Sequence, residues 1–150
     1  SNRVSATGYG VSYTGLDGLT AKYATTDEVG ATTAASGDQT VWNVSYVYGP
    51  VTATVSNHDY DVETTTSDQE MTSYAISYTV SDDLSITYGA EEISEGGSSK
   101  VDAEYTAISA SYTMGGMTIS AAMKDGENTD HGTASNQDFE YWSLGASFAF

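Results

Sequence analysis

The sequence is short of several residue types, and each shortage excludes a class of protein. Its 150 residues contain no cysteine, which excludes a disulfide framework and a thiolate metal site. Lysine and arginine number four against 21 aspartates and glutamates, so the net charge is −17. Because binding to a phosphate backbone needs basic side chains, this balance argues against a nucleic-acid partner. No apolar run reaches about 18 residues, which excludes a membrane-spanning helix.

Phenylalanine is also scarce, and the aromatic residues that are present have a polar end. Three phenylalanines stand beside twelve tyrosines and two tryptophans, so a thick apolar core would be poorly supplied. Tyrosine and tryptophan suit a boundary between an apolar and a polar medium. Abundant glycine, threonine, serine and valine favour strands and tight turns over helices. The composition therefore predicts an all-β protein.

Turn signals divide the chain into nine candidate strands, several of about the length that a tilted membrane strand needs. They are Val4 to Tyr13, Leu19 to Thr26, Thr40 to Tyr48, Val51 to Asp59, Met71 to Val80, Leu84 to Glu92, Glu104 to Met114, Met117 to Asp125, and Phe139 to Phe150. Short connections with hairpin chemistry alternate with long polar ones. This alternation predicts an antiparallel up-and-down meander.

Within the predicted strands, alternate residues form an apolar face and a face rich in serine and threonine. Hydroxyl groups could not fill a dry core without many unsatisfied hydrogen bonds. A soluble sandwich or barrel would show the same alternation, but with its apolar face turned inward. The acidic residues fall in connections or near strand ends, where a lipid-facing carboxylate would be avoided. These features favour a transmembrane β-barrel with an outward apolar face.

Aromatic residues near the strand ends indicate the two membrane interfaces. The predicted interface aromatics are Tyr13, Trp42, Tyr48, Tyr74, Tyr78, Tyr112, Trp142, Phe148 and Phe150.

The chain ends in YWSLGASFAF, where Trp142, Leu144, Ala146, Phe148 and Phe150 are apolar at every second position. With this ending and its repeated hairpins, the sequence resembles the general porins of Gram-negative outer membranes, the 16-stranded trimeric type. The resemblance implies that these five residues form the signal read by the outer-membrane assembly machinery. It also implies a homotrimer that contacts membrane lipid and lipopolysaccharide, and passive diffusion of small hydrophilic solutes and ions. No reaction, cofactor or metal is expected.

Residues on the hydroxyl-rich face would line the pore of such a barrel. The predicted pore-lining residues are Lys22, Asn43, Thr54, His58, Thr87, Glu91, Ser109, Ser120 and Lys124. The two lysines would tune ion permeation, although a solvated lysine near a rim is an equal alternative. His58 and His131 have no second ligand at metal spacing and are interpreted as solvated.

Nine strands is an odd number, whereas single-chain bacterial barrels have an even number. We therefore expect a C-terminal portion of a longer porin, lacking roughly seven strands of the 16-stranded form. Nor does SNRVSATGYG at the start look like a secretion signal, so an exported protein would be present here as a mature or truncated chain. The alternative is that Val4 to Tyr13 is not a membrane strand, which leaves a small eight-stranded barrel.

Two functions outside transport stay open at this point. A small barrel or secreted β-domain could act as an adhesin or surface-binding protein through its acidic loops. A barrel hydrolase would need His58 or His131, but no sharp motif surrounds a serine. Acidic clusters such as the one at Glu91, Glu92 and Glu95 predict a cation-attracting mouth, with divalent-cation binding as the alternative.

Overall fold

The computed structural model describes residues 3–30, 32, 36–63, 68–97, 100–132 and 137–149. These residues form nine antiparallel strands in one sheet, in the order of the sequence. The strands are β1 (Arg3–Tyr13), β2 (Leu19–Gly30), β3 (Gly37–Tyr48), β4 (Val51–Val62), β5 (Gln69–Ser81), β6 (Leu84–Glu95), β7 (Ala103–Met114), β8 (Met117–Glu127) and β9 (Phe139–Phe148). The predicted all-β class, the nine strands and their up-and-down order are confirmed.

Connections alternate between tight turns at one end of the sheet and long segments at the other. The tight turns cover 14–18, 49–50, 82–83 and 115–116, and the long connections cover 31–36, 63–68, 96–102 and 128–138. Gly18, Gly49 and Gly115 have φ angles of 75°, 56° and 60°, in the left-handed region that glycine adopts without a steric penalty. The tight ends therefore follow from local turn chemistry.

Each tight turn is also bonded to the strand that follows its own hairpin or to the residue directly after that strand. Four carbonyl oxygens, those of Gly18, Pro50, Asp83 and Gly116, accept hydrogen bonds from the amides of Val47, Thr79, Thr113 and Ala149, at 2.8, 2.8, 2.8 and 2.7 Å. The repetition of one arrangement at four turns extends the hydrogen-bonded ladder beyond the strands. It fixes neighbouring hairpins in register at the turn end.

At the opposite end, most strands run further than the sequence predicts. β2 continues to Gly30 and β6 to Glu95, whereas the predicted strands end at Thr26 and Glu92. The additional residues are mainly acidic or polar and lack the apolar alternation that marks a strand. They stay extended because the neighbouring strands pair with them, as Glu28 pairs with Gly37.

The sheet has one layer, and its apolar residues are not packed between two sheets. Among the described residues, the buried apolar side chains are Val62 and Ala103, and no large side chain is fully buried. Tyr48 and Trp142 are each 73% exposed. This distribution is the reverse of the soluble sandwich that the alternation also allowed, because a sandwich buries its apolar faces.

β1 and β9 lie at the two ends of the strand order. β1 pairs with β2 from Arg3 to Tyr13, so this segment is a full member of the sheet. Within the described residues, the ladders join only consecutive strands, from β1 with β2 to β8 with β9.

The turn glycines provide a matched pair for testing how the turns hold the hairpins together. A Cβ atom at Gly18 would collide with the carbonyl oxygen of Val47, whereas one at Gly49 would meet nothing within 4 Å. Both positions have a positive φ, so alanine is strained at either by about 1–2 kcal/mol. Gly18→Ala should lower the free energy of unfolding by roughly 1–3 kcal/mol more than Gly49→Ala, because it also disrupts the bond between Val47 and Gly18. Equal losses in urea unfolding of the two variants would contradict this account of the turns.

Candidate functional site: the two faces of the sheet

The first face carries the small polar side chains and is called the hydroxyl face. Cross-strand pairing places all of the predicted pore-lining residues on it, beginning with Lys22 opposite Asn43. The remaining members follow the same alternation on β4, β6, β7 and β8, through Thr54, His58, Thr87, Glu91, Ser109, Ser120 and Lys124. The register thus places these side chains on one face, and their role in lining a pore stays a prediction.

Hydroxyl groups on this face bond to one another across the strands. Thr54 donates to Ser45 over 3.1 Å, and the hydroxyls of Ser77 and Thr87 lie 2.8 Å apart. Near a tight turn, the Thr113 and Thr118 hydroxyls are 3.0 Å apart. Each hydroxyl can donate once and accept twice, so these pairs leave acceptor capacity for water. The face can be wetted without breaking its own hydrogen bonds.

On β5 to β7 the hydroxyl face is also the more shielded of the two. Ser77 and Thr87 are half-buried, whereas Ile76 and Tyr88, one residue away on the opposite face, are exposed. A recess of about 220 Å³ lies among hydroxyl side chains of four adjacent strands. Its polar lining consists of Ser85, Thr87, Ser109, Ser111, Ser120 and Ser143. This asymmetry indicates a sheet that curves towards its hydroxyl face, because neighbours cover side chains on a concave surface.

A larger cavity of about 460 Å³ lies on this face towards the long connections. Glu91 and Lys124 both line it, and Ser73 donates a hydrogen bond of 2.8 Å to the Glu91 carboxylate. Tyr105 and Phe139, also in the lining, have ring centroids 6.3 Å apart. The cavity therefore combines both signs of charge with an aromatic wall.

Sequence reasoning missed this aromatic pair because its members lie two strands apart. Tyr105 and Phe139 both pair with Gly126 of the strand between them. A Cβ at position 126 would collide with the Phe139 ring, so glycine lets the two rings approach each other over β8. An alternate-residue pattern within one strand does not predict such a contact. The available signal was a glycine in a strand whose two neighbouring strands carry aromatic residues.

The two histidines lie apart in the fold. His58 is on the hydroxyl face of β4, where its Nε2 atom is buried with no hydrogen-bond partner among the described residues. His131 lies in the connection between β8 and β9, where Nδ1 is 3.1 Å from the Val101 carbonyl oxygen. In the part of the chain that the structure describes, no three histidine, aspartate or glutamate side chains are placed to hold a metal ion. Neither histidine bonds to a serine within these residues, so the hydrolase hypothesis gains no support from the geometry.

The second face carries a band of apolar side chains at alternate positions near the tight turns. This band is called the apolar belt. It crosses the sheet as direct cross-strand pairs, for example Val44 with Val55, Ile76 with Tyr88, and Met123 with Trp142. Four alternate positions per strand span about 20 Å. Its side chains are exposed even where they are large, as Leu144 at 69% and Phe148 at 60% show.

The predicted interface aromatics lie on this face as far as the structure describes them. Tyr13, Tyr48, Tyr78, Tyr112 and Phe148 lie near the tight turns, and Trp42, Tyr74 and Trp142 lie on the side towards the long connections. Phe150 falls outside the described residues. In β9, Trp142, Leu144, Ala146 and Phe148 pair with Met123, Ala121, Ile119 and Met117. The proposed terminal signal is thus an apolar edge of the sheet.

Beyond the apolar belt, the same face becomes an acidic rim at the end of the long connections. The rim consists of Asp27, Asp38, Asp59, Asp61, Glu70, Glu92, Glu104, Asp125, Glu127 and Glu140. Many of these residues are direct cross-strand neighbours, such as Asp59 with Glu70 and Glu104 with Glu127. Like charges in opposed positions destabilise a sheet, so the rim costs stability. The sequence predicted acidic residues near strand ends, but not that they share the face of the apolar belt.

Asp59 shows the effect of this crowding. Partial burial, followed by the charges of Glu70, Asp61 and Asp68, raises the pKa of the Asp59 carboxyl above its usual value. At the inner edge of the rim, the Asn57 side chain is buried and donates to Glu70 over 2.8 Å and to Thr72 over 3.0 Å. An amide donor thus compensates for part of the negative charge where the rim meets the belt.

Comparison with known proteins gives no match: no protein-family model, no curated protein and no solved structure matches this chain. The porin resemblance therefore stays a prediction. Among the described residues, no helix is long and apolar enough to cross a membrane.

The acidic rim predicts an unusual pH dependence for a neutralising substitution. Because the Asp59 pKa is raised on folding, its destabilising effect is absent below about pH 4 and present in full above the raised value. Asp59→Asn should therefore increase the free energy of unfolding at about pH 7, by roughly 0.2–1 kcal/mol. This gain in the free energy of unfolding should disappear as the pH falls to about 3, where position 59 is neutral in the wild-type protein and in the variant.

Asp17 in the first tight turn supplies the control, because it lies at the opposite end of the sheet from the rim. Asp17→Asn should not reproduce the pH-dependent gain. A loss of stability for Asp59→Asn at neutral pH would contradict the repulsive interpretation of the rim.

Proposed function

We propose that this chain forms the wall, or a C-terminal portion of the wall, of an outer-membrane porin. In this proposal the apolar belt faces lipid, the hydroxyl face lines a water-filled channel, and small hydrophilic solutes and ions diffuse through passively. One observation carries the proposal: on β5 to β7 the exposed face of the sheet is apolar and the shielded face is hydroxylated. A water-soluble sheet protein has the reverse arrangement.

The apolar belt supports the lipid side of the proposal. Exposed side chains such as Ile76, Leu144 and Met123 form one continuous surface on several adjacent strands. Soluble monomers rarely expose contiguous apolar patches larger than a few hundred Å². Transfer of such a surface from water to hydrocarbon is favourable by roughly 25 cal/mol per Å². The membrane-spanning part of each strand would then be the belt, with the acidic rim lying outside it.

The hydroxyl face supports the channel side. Its serines and threonines bond to one another and retain acceptors, so that a solvated solute could pass along them without desolvating an unpaired group. Exclusion would depend on the channel diameter and on the field of the wall charges. Lys22 and Lys124 would raise the local potential, whereas Glu91 and the acidic rim would lower it and enrich cations.

The proposal includes the partners implied by the porin resemblance. They are membrane lipid and lipopolysaccharide at the belt and rim, two further copies in a homotrimer, and the outer-membrane assembly machinery at β9. The apolar edge formed by Trp142, Leu144, Ala146 and Phe148 is accessible for such recognition. The channel would need no cofactor and would catalyse no reaction.

A planar-bilayer recording of the native protein tests the function directly. We expect the protein to need detergent for solubility and to produce stepwise ion conductance after insertion. A monomer that is soluble without detergent and inactive in the bilayer would instead favour a secreted β-domain that binds surfaces through its acidic loops.

Adjacent residues of β5 provide a sharper test of which face meets lipid. Ile76 belongs to the apolar belt and Ser77 to the hydroxyl face, so the two lie at nearly the same depth. Ile76→Arg should destabilise the inserted protein by roughly 2–4 kcal/mol, the cost of a lipid-facing arginine near mid-membrane. The Ser77→Arg variant should still insert, because its arginine would reach water. It should lose about 1 kcal/mol, since the hydrogen bond to Thr87 is removed. Urea unfolding in lipid vesicles measures both variants, and equal losses would contradict the assignment of the faces.

Charges on the hydroxyl face should also control ion selectivity. Replacing Lys22 and Lys124 by glutamine should shift the reversal potential in a potassium chloride gradient towards greater cation preference. Glu91→Gln should shift it in the opposite direction. Glu127→Gln serves as the control, since Glu127 lies in the acidic rim on the other face and should have a smaller effect. A reversal potential unaffected by all three lumen substitutions would contradict the placement of these residues along the channel.

A further inference from the structure

Two of the long connections are joined by reciprocal contacts between Val101 and His131. The Val101 amide donates to the His131 carbonyl oxygen over 3.2 Å, and His131 Nδ1 lies 3.1 Å from the Val101 carbonyl oxygen. Asn128 adds a contact of 3.4 Å from its side-chain amide to the Asp102 carbonyl oxygen. The connection between β6 and β7 is thereby bonded to the one between β8 and β9, at the end of the sheet that carries the acidic rim.

The backbone of the second connection is shaped to present His131 at this junction. Asn128 and His131 have φ angles of 51° and 57°, a left-handed conformation that asparagine and histidine adopt more readily than most residues. The His131 amide donates to the Asn128 carbonyl oxygen over 2.7 Å. Thr129 donates twice to the Gln137 carbonyl oxygen, from its amide at 3.1 Å and its hydroxyl at 2.6 Å. The imidazole is therefore held in place, and its side chain is only 14% exposed.

The contact with Val101 determines which imidazole nitrogen takes up the second proton. A carbonyl oxygen can only accept, so His131 Nδ1 carries hydrogen in the neutral ring. Nε2 is then the atom that gains a proton on acidification. It lies 4.0 Å from Oε2 of Glu95, which also accepts from Lys100 Nζ over 2.6 Å. The proton would arrive on the side of the ring that faces a carboxylate.

We propose that Val101, His131 and Glu95 form a latch between these two connections, and that protonation of His131 tightens it. In the neutral state the latch consists of the two contacts with Val101. In the protonated state Nε2–H adds a charged interaction with Glu95, which joins the end of β6 to the connection after β8. Acidification therefore closes the latch more firmly, because the added interaction needs a protonated ring.

Several charged groups lie in the segments that the latch joins. Glu95 and Lys100 belong to β6 and the connection after it, Asp102 precedes β7, and Asp130 and Asp138 lie in the connection after β8. Residues 98–99 and 133–136 contain serine, threonine, alanine and asparagine, so they add no titratable side chain.

The Glu95 carboxyl group stays ionised on mild acidification. The hydrogen bond from Lys100 is the main cause that lowers the pKa of the Glu95 carboxyl below its usual value, so this group keeps its charge at about pH 5.5. The protonated ring thus meets a carboxylate and not a carboxylic acid.

Hydrogen–deuterium exchange at the Val101 amide, in the native full-length protein, tests the latch. The measured quantity is the protection factor of the Val101 amide, which is corrected for the intrinsic pH dependence of exchange. This factor should rise about two- to fivefold as the pH falls from about 8 to about 5.5. His131→Asn keeps a donor near the position of Nδ1 and tolerates the positive φ, but it cannot be protonated. This variant should keep the protection at about pH 8 and lose the rise. Glu95→Gln should also lose most of the rise, because it removes the charge that faces Nε2.

The other histidine of the chain is the matched control, since His58 lies on β4, which is not one of the strands that the latch joins. His58→Gln should retain the acid-dependent rise in Val101 protection. A rise that survives in both His131→Asn and Glu95→Gln, or one that disappears in His58→Gln, would overturn the proposal.

The consequence for transport rests on the proposed function. If the chain is a porin wall, a tighter latch should reduce brief closures of the open channel at about pH 5.5, because fewer loop movements reach the mouth. His131→Asn should abolish that reduction. Absence of any conductance would argue against the porin proposal and leave the exchange test intact, whereas conductance without an acid-dependent change in Val101 protection would argue against the latch alone.

Discussion

The cross-strand ladder of backbone hydrogen bonds is the interaction on which this structure depends. The described residues contain almost no buried apolar core, so the register of nine strands determines which side chains share a surface. A slip of one residue in any ladder would move its apolar residues to the hydroxyl face. In a lipid environment the same ladder would carry an additional constraint, because an unpaired backbone group in hydrocarbon costs several kcal/mol. The bonds from the four tight turns to the segments at the ends of the next strands extend this constraint to the end of the sheet.

The register also explains why one surface contains both an apolar belt and an acidic rim. Each strand from β2 to β9 changes from apolar to acidic at nearly the same height, so that Met123 and Trp142 lie directly beside Asp125 and Glu140 along the strands. The boundary is therefore a property of the whole sheet and not of one strand. Partial burial and opposed carboxylates both reduce stability here, and together they raise the pKa of Asp59. A sheet that keeps this loss of stability indicates selection for the negative charge of the rim. The rim beside the apolar belt therefore supports the membrane proposal.

Sequence reasoning succeeded at the tight turns and was less accurate at the long connections. Gly49, Pro50, Gly115 and Gly116 mark two turns by local chemistry alone, and the strands end where those residues predict. Glu28 and Glu95 lie in strands because a neighbouring strand pairs with them, which no local preference reveals. Alternation placed the predicted pore-lining residues on a common face, since the period of a strand is a local property. Contacts that cross an intervening strand were missed, because they depend on register and on distance in space.

By itself, the sequence determined the all-β class, the number and order of strands, and which residues lie on each face. These properties follow from composition, turn chemistry and period-two alternation, all of which act over a few neighbouring residues. Only the tertiary structure decided that the apolar face is the exposed one, that the acidic residues form a rim on that face, and that Tyr105 meets Phe139 over Gly126. The junction of His131 with Val101 and Glu95 likewise joins residues 30 or more positions apart. Such contacts are set by strand pairing and sheet curvature, which place distant segments together without leaving a local pattern in the chain.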